Sequence, residues 1–161
     1  MPNIVGARID NRLIHAQVSG QWTKALGANL LLVANDAVSK SQFRQGLMNL
    51  AAPGFVQTRF FSLDKTIQTI HKASPSQKIL LLVESAQDAL RLVQGGVPIS
   101  SFNVANISSQ LARHIITPTV SVDDEELAAL RQLHALGIHL DFQKTPQMPK
   151  QDFGLLLEQF S

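Results

Sequence analysis

Two arginines, an aspartate and a histidine fall within residues 8–15 of the stretch RIDNRLIHAQV, in a chain whose charged residues make up only 16% of the total. That set suits an anion. A guanidinium presents a planar fork that matches phosphate oxygens, and a carboxylate can orient an imidazole ring. The stretch follows a short apolar run, PNIVGA, and precedes a helix-like pattern that starts near Gln17, so it reads as the polar loop at a strand's carboxyl end. Backbone N–H groups in the first turn of a helix are unpaired and favour negative charge. His15 then stands at the mouth of an anion site, with Asp10 close enough in sequence to orient its ring. From these residues alone two readings stay open: a histidine that accepts a phosphoryl group, and an ordinary surface histidine. Arg8 and Arg12 are likewise either anion ligands or solvated charges.

The elements that must hold this loop are marked by apolar runs alternating with polar, helix-like segments. Strands are expected near 3–8, 29–34, 57–61, 78–83, 101–104, 118–121 and 138–143, and their continuous Ile/Leu/Val character suits strands buried on both faces. Between them the period changes. Val18, Trp22, Ala25 and Leu26 form one helical stripe; Ala86, Ala89, Leu90 and Val93 form another; Leu127, Leu130 and His134 lie on a third. Ser85 with Asp88 and Ser121 with Asp124 have the spacing of capping boxes, and the acidic run at 123–126 suits a helix start better than a metal. Gly27, Gly95, Gly96 and Gly137 fall where helices should stop. The pattern predicts one α/β domain: an open, mostly parallel sheet of about seven strands with helices on both faces. In such a sheet ligands bind beyond the carboxyl ends of the strands, where residues 8–15 lie.

Composition narrows the function classes. A chain of 161 residues can bury roughly two thirds of its unfolded surface as one domain. Its apolar fraction of 45% and net charge of +2 are those of a folded protein without a basic tract, which argues against nucleic acid as a partner. It has no cysteine, so disulfides, thiolate nucleophiles and zinc–thiolate sites are excluded. The apolar runs at 30–34 and 79–83 are too short to span a bilayer, and Arg8 and Asp10 interrupt any signal-like segment, so a cytoplasmic protein without direct membrane insertion is expected. His139 and Asp141 share a strand face, but no third ligand adjoins them, and no metal site is expected. His134 reads as a core or boundary histidine, and Phe43 and Met48 read as packing residues. Nucleotide-binding glycine motifs are absent.

RIDNRLIHAQV resembles the active-site signature of the enzyme IIB components of the bacterial sugar phosphotransferase system, in the mannose/fructose/sorbose (N-acetylgalactosamine) family. The resemblance covers about residues 1–145. VANDAVSK (33–40) is similar to the family's segment after strand two, QKILLLVES (77–85) to its fourth strand, and GGVPISSFNVANIS (95–108) to its fifth strand and following loop. The resemblance implies that His15 is phosphorylated at Nδ1 by the phosphohistidine of a IIA partner. The group would then pass to a sugar delivered by the membrane subunits IIC and IID, which would keep the protein peripheral to the inner face of the membrane. Asp10 would orient His15. Arg8 and Arg12 would clamp the phosphoryl oxygens beside Ala16 and Gln17 at the helix start, and Asn35, Asp36, Asn106 and Ser108 would form a site wall. No metal or organic cofactor is implied, only the transient phosphoryl group. The tail, 146–161, reads as a proline-bearing linker and short helix belonging to the same unit.

Two departures from the family pattern bear on activity. Ala16 and Ala105 stand where the family usually has glycine, and Ser108 where it has histidine. Alanine reaches positive φ only at a cost of about 1 kcal/mol or more, so either these positions adopt ordinary angles or the site is looser. A looser site suits an alternative reading, a degenerate or regulatory IIB that binds IIA without efficient sugar phosphorylation. A third reading, a hydrolase-like enzyme using His15 as general base, has no serine or cysteine nucleophile motif behind it.

Overall fold

A strand with neighbours on both sides carries the polar loop. The computed structural model describes residues 1–160, the side chains of Gln17 and Val18 excepted. In chain order the elements are β1 (Asn3–Asp10), α1 (Ala16–Leu26), β2 (Leu30–Ala34), α2 (Asp36–Ser39), α3 (Gln42–Ala51), β3 (Gln57–Phe61) and α4 (Leu63–Thr69), which ends in a 3₁₀ turn. There follow β4 (Lys78–Val83), α5 (Ala86–Gln94), β5 (Ser101–Ser108), β6 (His114–Thr117), β7 (Val120–Val122), α6 (Asp124–Ala135), β8 (His139–Phe142), β9 (Gln151–Asp152) and α7 (Phe153–Glu158). The sheet order is β3-β2-β4-β1-β5-β7-β6, with β8 also paired to β5 and β9 to β8. Every pairing is parallel except β6–β7 and β8–β9.

The chain steps outward from β1 to β2 and β3, then returns to β4 and crosses to β5. Right-handed crossovers therefore put the outward connections on one face and the returning ones on the other. The smaller core, with Trp22 of α1, Val38 of α2 and Met48 of α3, lies against one side of the sheet. The larger one gathers Leu63, Ala86, Ala89, Leu92, Leu127, Leu130, Phe153 and Leu157 on the other. Strands β2 and β4 are buried almost throughout because both their faces are covered, which is why they read as unbroken apolar runs.

Among the described residues nine strands replace the seven expected, and both additions are short antiparallel partners. The segment 118–121 is not one strand: Pro118 and Thr119 make a two-residue turn between β6 and β7, because proline cannot donate to a ladder. β1 and β5 each run further than expected, to Asp10 and Ser108. Ser85 caps α5, accepting from the Asp88 N–H. The cap of α6 is Asp123, which forms a reciprocal box with Glu126, whereas Ser121 belongs to β7. Gly27, Gly96 and Gly137 take positive φ after their helices. Met48 packs as expected, but Phe43 is exposed, on one stripe of α3 with the exposed Leu47 and Leu50.

Candidate functional site

Arg8 and Asp10 are two apart on β1 and so share a face of the sheet. β1 pairs with β5 in register at Arg8–Asn103 and Ile9–Val104, but Asp10 then faces Asn106, which leaves Ala105 as an extra residue on β5. This bulge re-aims the strand end. Its carbonyl is held by the Thr119 hydroxyl at 2.7 Å, and Asn106 is turned so that its Nδ2 donates to Asp10 Oδ2 at 3.2 Å. The Asn11 N–H donates to the Asn106 carbonyl at 2.9 Å, and the Asn11 amide donates to the Ser108 hydroxyl at 3.1 Å. Two strand ends are thereby stitched together beneath the loop.

The chain then doubles back. The Leu13 N–H donates to the Asp10 carbonyl, and Leu13 takes φ 57°, the left-handed region. A branched side chain there costs roughly 1–2 kcal/mol, and the burial of Leu13 and Ile14 in the smaller core holds it in place. The reversal brings His15 over Asp10 as the N-cap of α1. Its backbone N–H donates to the Ser19 hydroxyl at 3.3 Å, and its ring Nε2 lies 3.0 Å from Asp10 Oδ2. The His15 side chain retains 18% of its exposure while that of Asp10 has none.

Asp10 is the hub. Its Oδ1 accepts from the Arg12 N–H at 3.0 Å, and its Oδ2 faces Arg8 Nη2, Asn106 Nδ2 and His15 Nε2. Burial opposes ionisation of this carboxyl, but the His15 ring, the Arg12 N–H and the Arg8 charge outweigh it and hold its pKa at about 2. Asp10 is therefore a carboxylate at neutral pH. It favours the His15 tautomer with the proton on Nε2, so the lone pair lies on Nδ1. Among the described residues no hydrogen bond reaches Nδ1. A partly exposed ring with one nitrogen anchored and the other a free lone pair, beside the open first turn of a helix, can act as an oriented nucleophile with an anion-favouring surround.

The structure corrects several expected roles. Arg8 is not at the loop surface: it is 4% exposed, stacks over Trp22 with its guanidinium 5.1 Å from the ring centre, and donates to Asp10 and Asn103. It supports Asp10 from beneath rather than clamping an outside anion, because the strand alternation that aligns it with Asp10 points it into the sheet face. Arg12 is exposed and lines a recess with Asn106, Thr119, Phe142 and Lys144, and the floor of that recess includes Arg8 and Ala105. Asn35 and Asp36 reach the same sheet edge but lie two strands away from β1. Asn35 caps α2 through Val38, and Asp36 accepts from the Leu63 N–H, so both hold helix starts and neither bonds to the His15 group. Asn106 joins the hub directly, and Ser108 acts one step away through Asn11. Ala16 and Ala105 take ordinary angles; among the described residues the non-glycine residue at positive φ is Leu13. Ala16 opens α1, and the Gln17 side chain, expected at the anion, lies outside the described residues.

Sequence reasoning missed Asn11, Asn103 and Thr119, and weighed Asp141 only as a metal ligand beside His139. Asn103 and Asp141 had left a signal, each being a polar residue set between two apolar neighbours in its strand. Among the described residues there is no cluster of three or more His, Cys, Asp or Glu side chains able to hold a metal, and no helix long and apolar enough to cross a membrane.

A doubly wound α/β domain that presents a carboxylate-held histidine where its first strand meets its first helix defines a narrow class of proteins. The family described as PTS system sorbose subfamily IIB component matches residues 4–160, and the chain belongs to it. The chain is 44% identical over 157 residues to the N-acetylgalactosamine-specific phosphotransferase enzyme IIB component 2 of Escherichia coli K12, covering 98% of this chain and 100% of that protein. It is 34% identical over 145 residues to the mannose-specific EIIAB component of the same organism, covering 89% of this chain and 45% of that longer protein. The crystal structure of the N-acetylgalactosamine-specific IIB component 1 from Escherichia coli superposes with a TM-score of 0.87 at 39% identity, covering 93% of this chain and 99% of the other. The chain is thus a IIB component of sugar transport, and the α/β fold read from its sequence is the fold of these IIB structures.

Proposed function

We propose that this IIB domain is a phosphocarrier in the cytoplasm that takes a phosphoryl group from the phosphohistidine of a IIA partner onto His15 Nδ1 and passes it to a sugar held by membrane subunits IIC and IID. One observation carries the reading: Asp10 holds His15 through Nε2, leaving Nδ1 as the available nucleophile. In the first step the Nδ1 lone pair forms the new N–P bond as the donor's N–P bond breaks and its electron pair returns to the donor ring. The His15 ring then carries positive charge beside the Asp10 carboxylate, which stabilises it. In the second step a sugar hydroxyl oxygen attacks phosphorus, the electron pair of the breaking bond returns to Nδ1, and the hydroxyl proton leaves to solvent.

Arg12, exposed at the loop, supplies the planar fork for the phosphoryl oxygens, and the first-turn amides of α1 add partial positive charge. The reaction needs neither metal nor organic cofactor on this chain, since transfer between nitrogens and to oxygen rests on position and charge. The names of the nearer relatives make N-acetylgalactosamine the first sugar to test, and the double name of the mannose-specific relative supports a IIA donor. The degenerate alternative loses its main support because Ala16 and Ala105 show no strain.

The test is phosphorylation by a phosphorylated IIA protein, followed by mass mapping. A single acid-labile phosphoryl group on His15, discharged by sugar in the presence of IIC/IID membranes, is the expected outcome. Label on His71, His114, His134 or His139, or no label with a competent donor, would overturn the assignment.

A further inference from the structure

Three polar side chains form one row across the otherwise apolar middle of the sheet. Arg8 on β1 is the register partner of Asn103 on β5, and Asn103 is the register partner of Asp141 on β8; on the other side of Arg8 the row continues as Leu82 of β4. Arg8 Nη1 donates to Asn103 Oδ1 at 3.3 Å, and Asn103 Nδ2 donates to Asp141 Oδ1 at 3.1 Å. Through Arg8 Nη2 the row reaches Asp10, 3.2 Å away, and through Asp10 it reaches His15 Nε2. Arg8, Asp10, Asn103 and Asp141 are all buried.

We propose that Asn103 and Asp141 are positioning residues for His15, acting through Arg8 and Asp10 to fix the tautomer that leaves Nδ1 free. The proposal rests on the reading of His15 as the phosphoryl acceptor. Asn103 has both ends of its amide engaged: its Nδ2 donates to Asp141 at 3.1 Å and, at 3.5 Å, to the Gln143 carbonyl, so the nearer and charged Asp141 has the larger part in turning the Asn103 carbonyl oxygen to Arg8. With Nη1 held there, Nη2 is aimed at Asp10. Charge works in the same direction. The buried row holds one guanidinium between two carboxylates, so Arg8 is shared, and Asp10 keeps enough negative charge to be a strong acceptor for the His15 Nε2–H. Inside a sheet such charges are little screened.

Burial pushes the Asp141 pKa up, while Lys150, the Asn103 amide, His139 and Arg8 all favour its charged form. Lys150 and Gln143 close the row from the β8–β9 connection, and Trp22 of α1 closes it from the other side. Apolar side chains could fill this space at no loss, and often with a gain, of stability. A row that only plugged a gap would therefore have no need of an ionic chain ending on the reactive ring.

The test uses the unphosphorylated full chain with ¹⁵N-labelled histidine and reads ring tautomers, with His114, bonded to Asp124, as the internal control for folding. In the parent the Nε2–H tautomer of His15 should dominate, with a slowly exchanging ring proton. Asp141→Asn should raise the other tautomer and speed ring-proton exchange by about three- to tenfold, the effect of weakening one charge-assisted hydrogen bond. Asn103→Leu, which cuts the chain while keeping both carboxylates in place, should do the same, and the double variant should add nothing further. In donor assays both variants should lower kcat by a similar factor without raising KM for the IIA protein. An unchanged His15 tautomer in either folded variant, or additive effects in the double variant, would overturn the proposal. Because tautomers are read without a donor, failure of His15 to accept phosphate would count against the phosphocarrier reading alone.

Discussion

At the scale of single residues, Asp10 does the most with the least exposure. It accepts from Arg12, Arg8, Asn106 and His15, and its pKa of about 2 lies below the ordinary carboxylate value of 3.8. A carboxyl whose pKa is depressed on folding contributes stability that is present above its unfolded value, near pH 4, and is lost as pH falls toward 2. Asp10→Asn removes that contribution and leaves Arg8 without its buried charge partner. The variant should cost about 3 kcal/mol at pH 6, within the range for breaking a buried ion pair, and on the order of 1 kcal/mol at pH 2. Urea unfolding at pH 6, 4, 3 and 2 checks this. A cost independent of pH would mean that Asp10 is not held ionised in the native state.

At the scale of elements, the loop between β1 and α1 is set by a strained turn on one side and a bulge on the other. Leu13 reverses the chain at φ 57°, and Ala105 shifts the β5 register so that Asn106 faces Asp10. Glycine would relieve strain at positions of positive φ, but Ala16 begins a helix and Ala105 lies in a strand, both at ordinary angles. Replacing both by glycine should therefore leave the rate of phosphoryl acceptance unchanged. Each glycine lowers stability by roughly 0.5–1 kcal/mol through the added freedom of the unfolded chain. Single-turnover transfer together with thermal unfolding separates the two effects; faster transfer would show that the alanines impose strain on the site after all.

Across the whole molecule, the C-terminal segment is bound into the same body as the sheet. Phe153 and Leu157 of α7 are buried in the larger core, β9 extends the sheet beside β8, and His134 Nε2 of α6 lies 3.5 Å from Glu158. Gly154 sits directly beneath His134: a Cβ there would come within 2.6 Å of the ring's Cε1 and 2.8 Å of its Nδ1. Gly154→Val must turn the His134 ring out of its place against α7 and away from Glu158, or shift α7 itself, with an expected loss of about 1 kcal/mol or more. His15 lies at the start of α1, whose Trp22 packs in the core on the opposite sheet face, so phosphoryl acceptance per folded molecule should be unaltered. An unchanged melting temperature would mean that the His134 ring yields to the added side chain and that its contact with α7 contributes nothing to stability.

Local pattern was enough for the parallel core, because runs such as LLLVA and ILLLV signal strands buried on both faces and periodicity is a property of neighbouring residues. For the loop, the types and spacing of Asp10, Arg12 and His15 left an anion site and an ordinary surface histidine both open, and the resemblance of the whole stretch to a family signature chose between them. Short strands were harder to read: β6 and β9 exist only through their antiparallel partners, and Pro118 hid a hairpin within what reads as one strand. Which arginine faces outward was also beyond sequence, since Arg8 and Arg12 differ not in kind but in the surface that β1 and the turn give them. Only the tertiary structure could decide that Leu13 carries the strain, that Ala105 is an extra residue in a ladder, and that Asn103 and Asp141 stand in line with Arg8. The first depends on burial of the turn in the smaller core; the other two depend on the register between strands nearly a hundred, or several tens of, residues apart, and register is set by how the whole sheet packs rather than by any one strand.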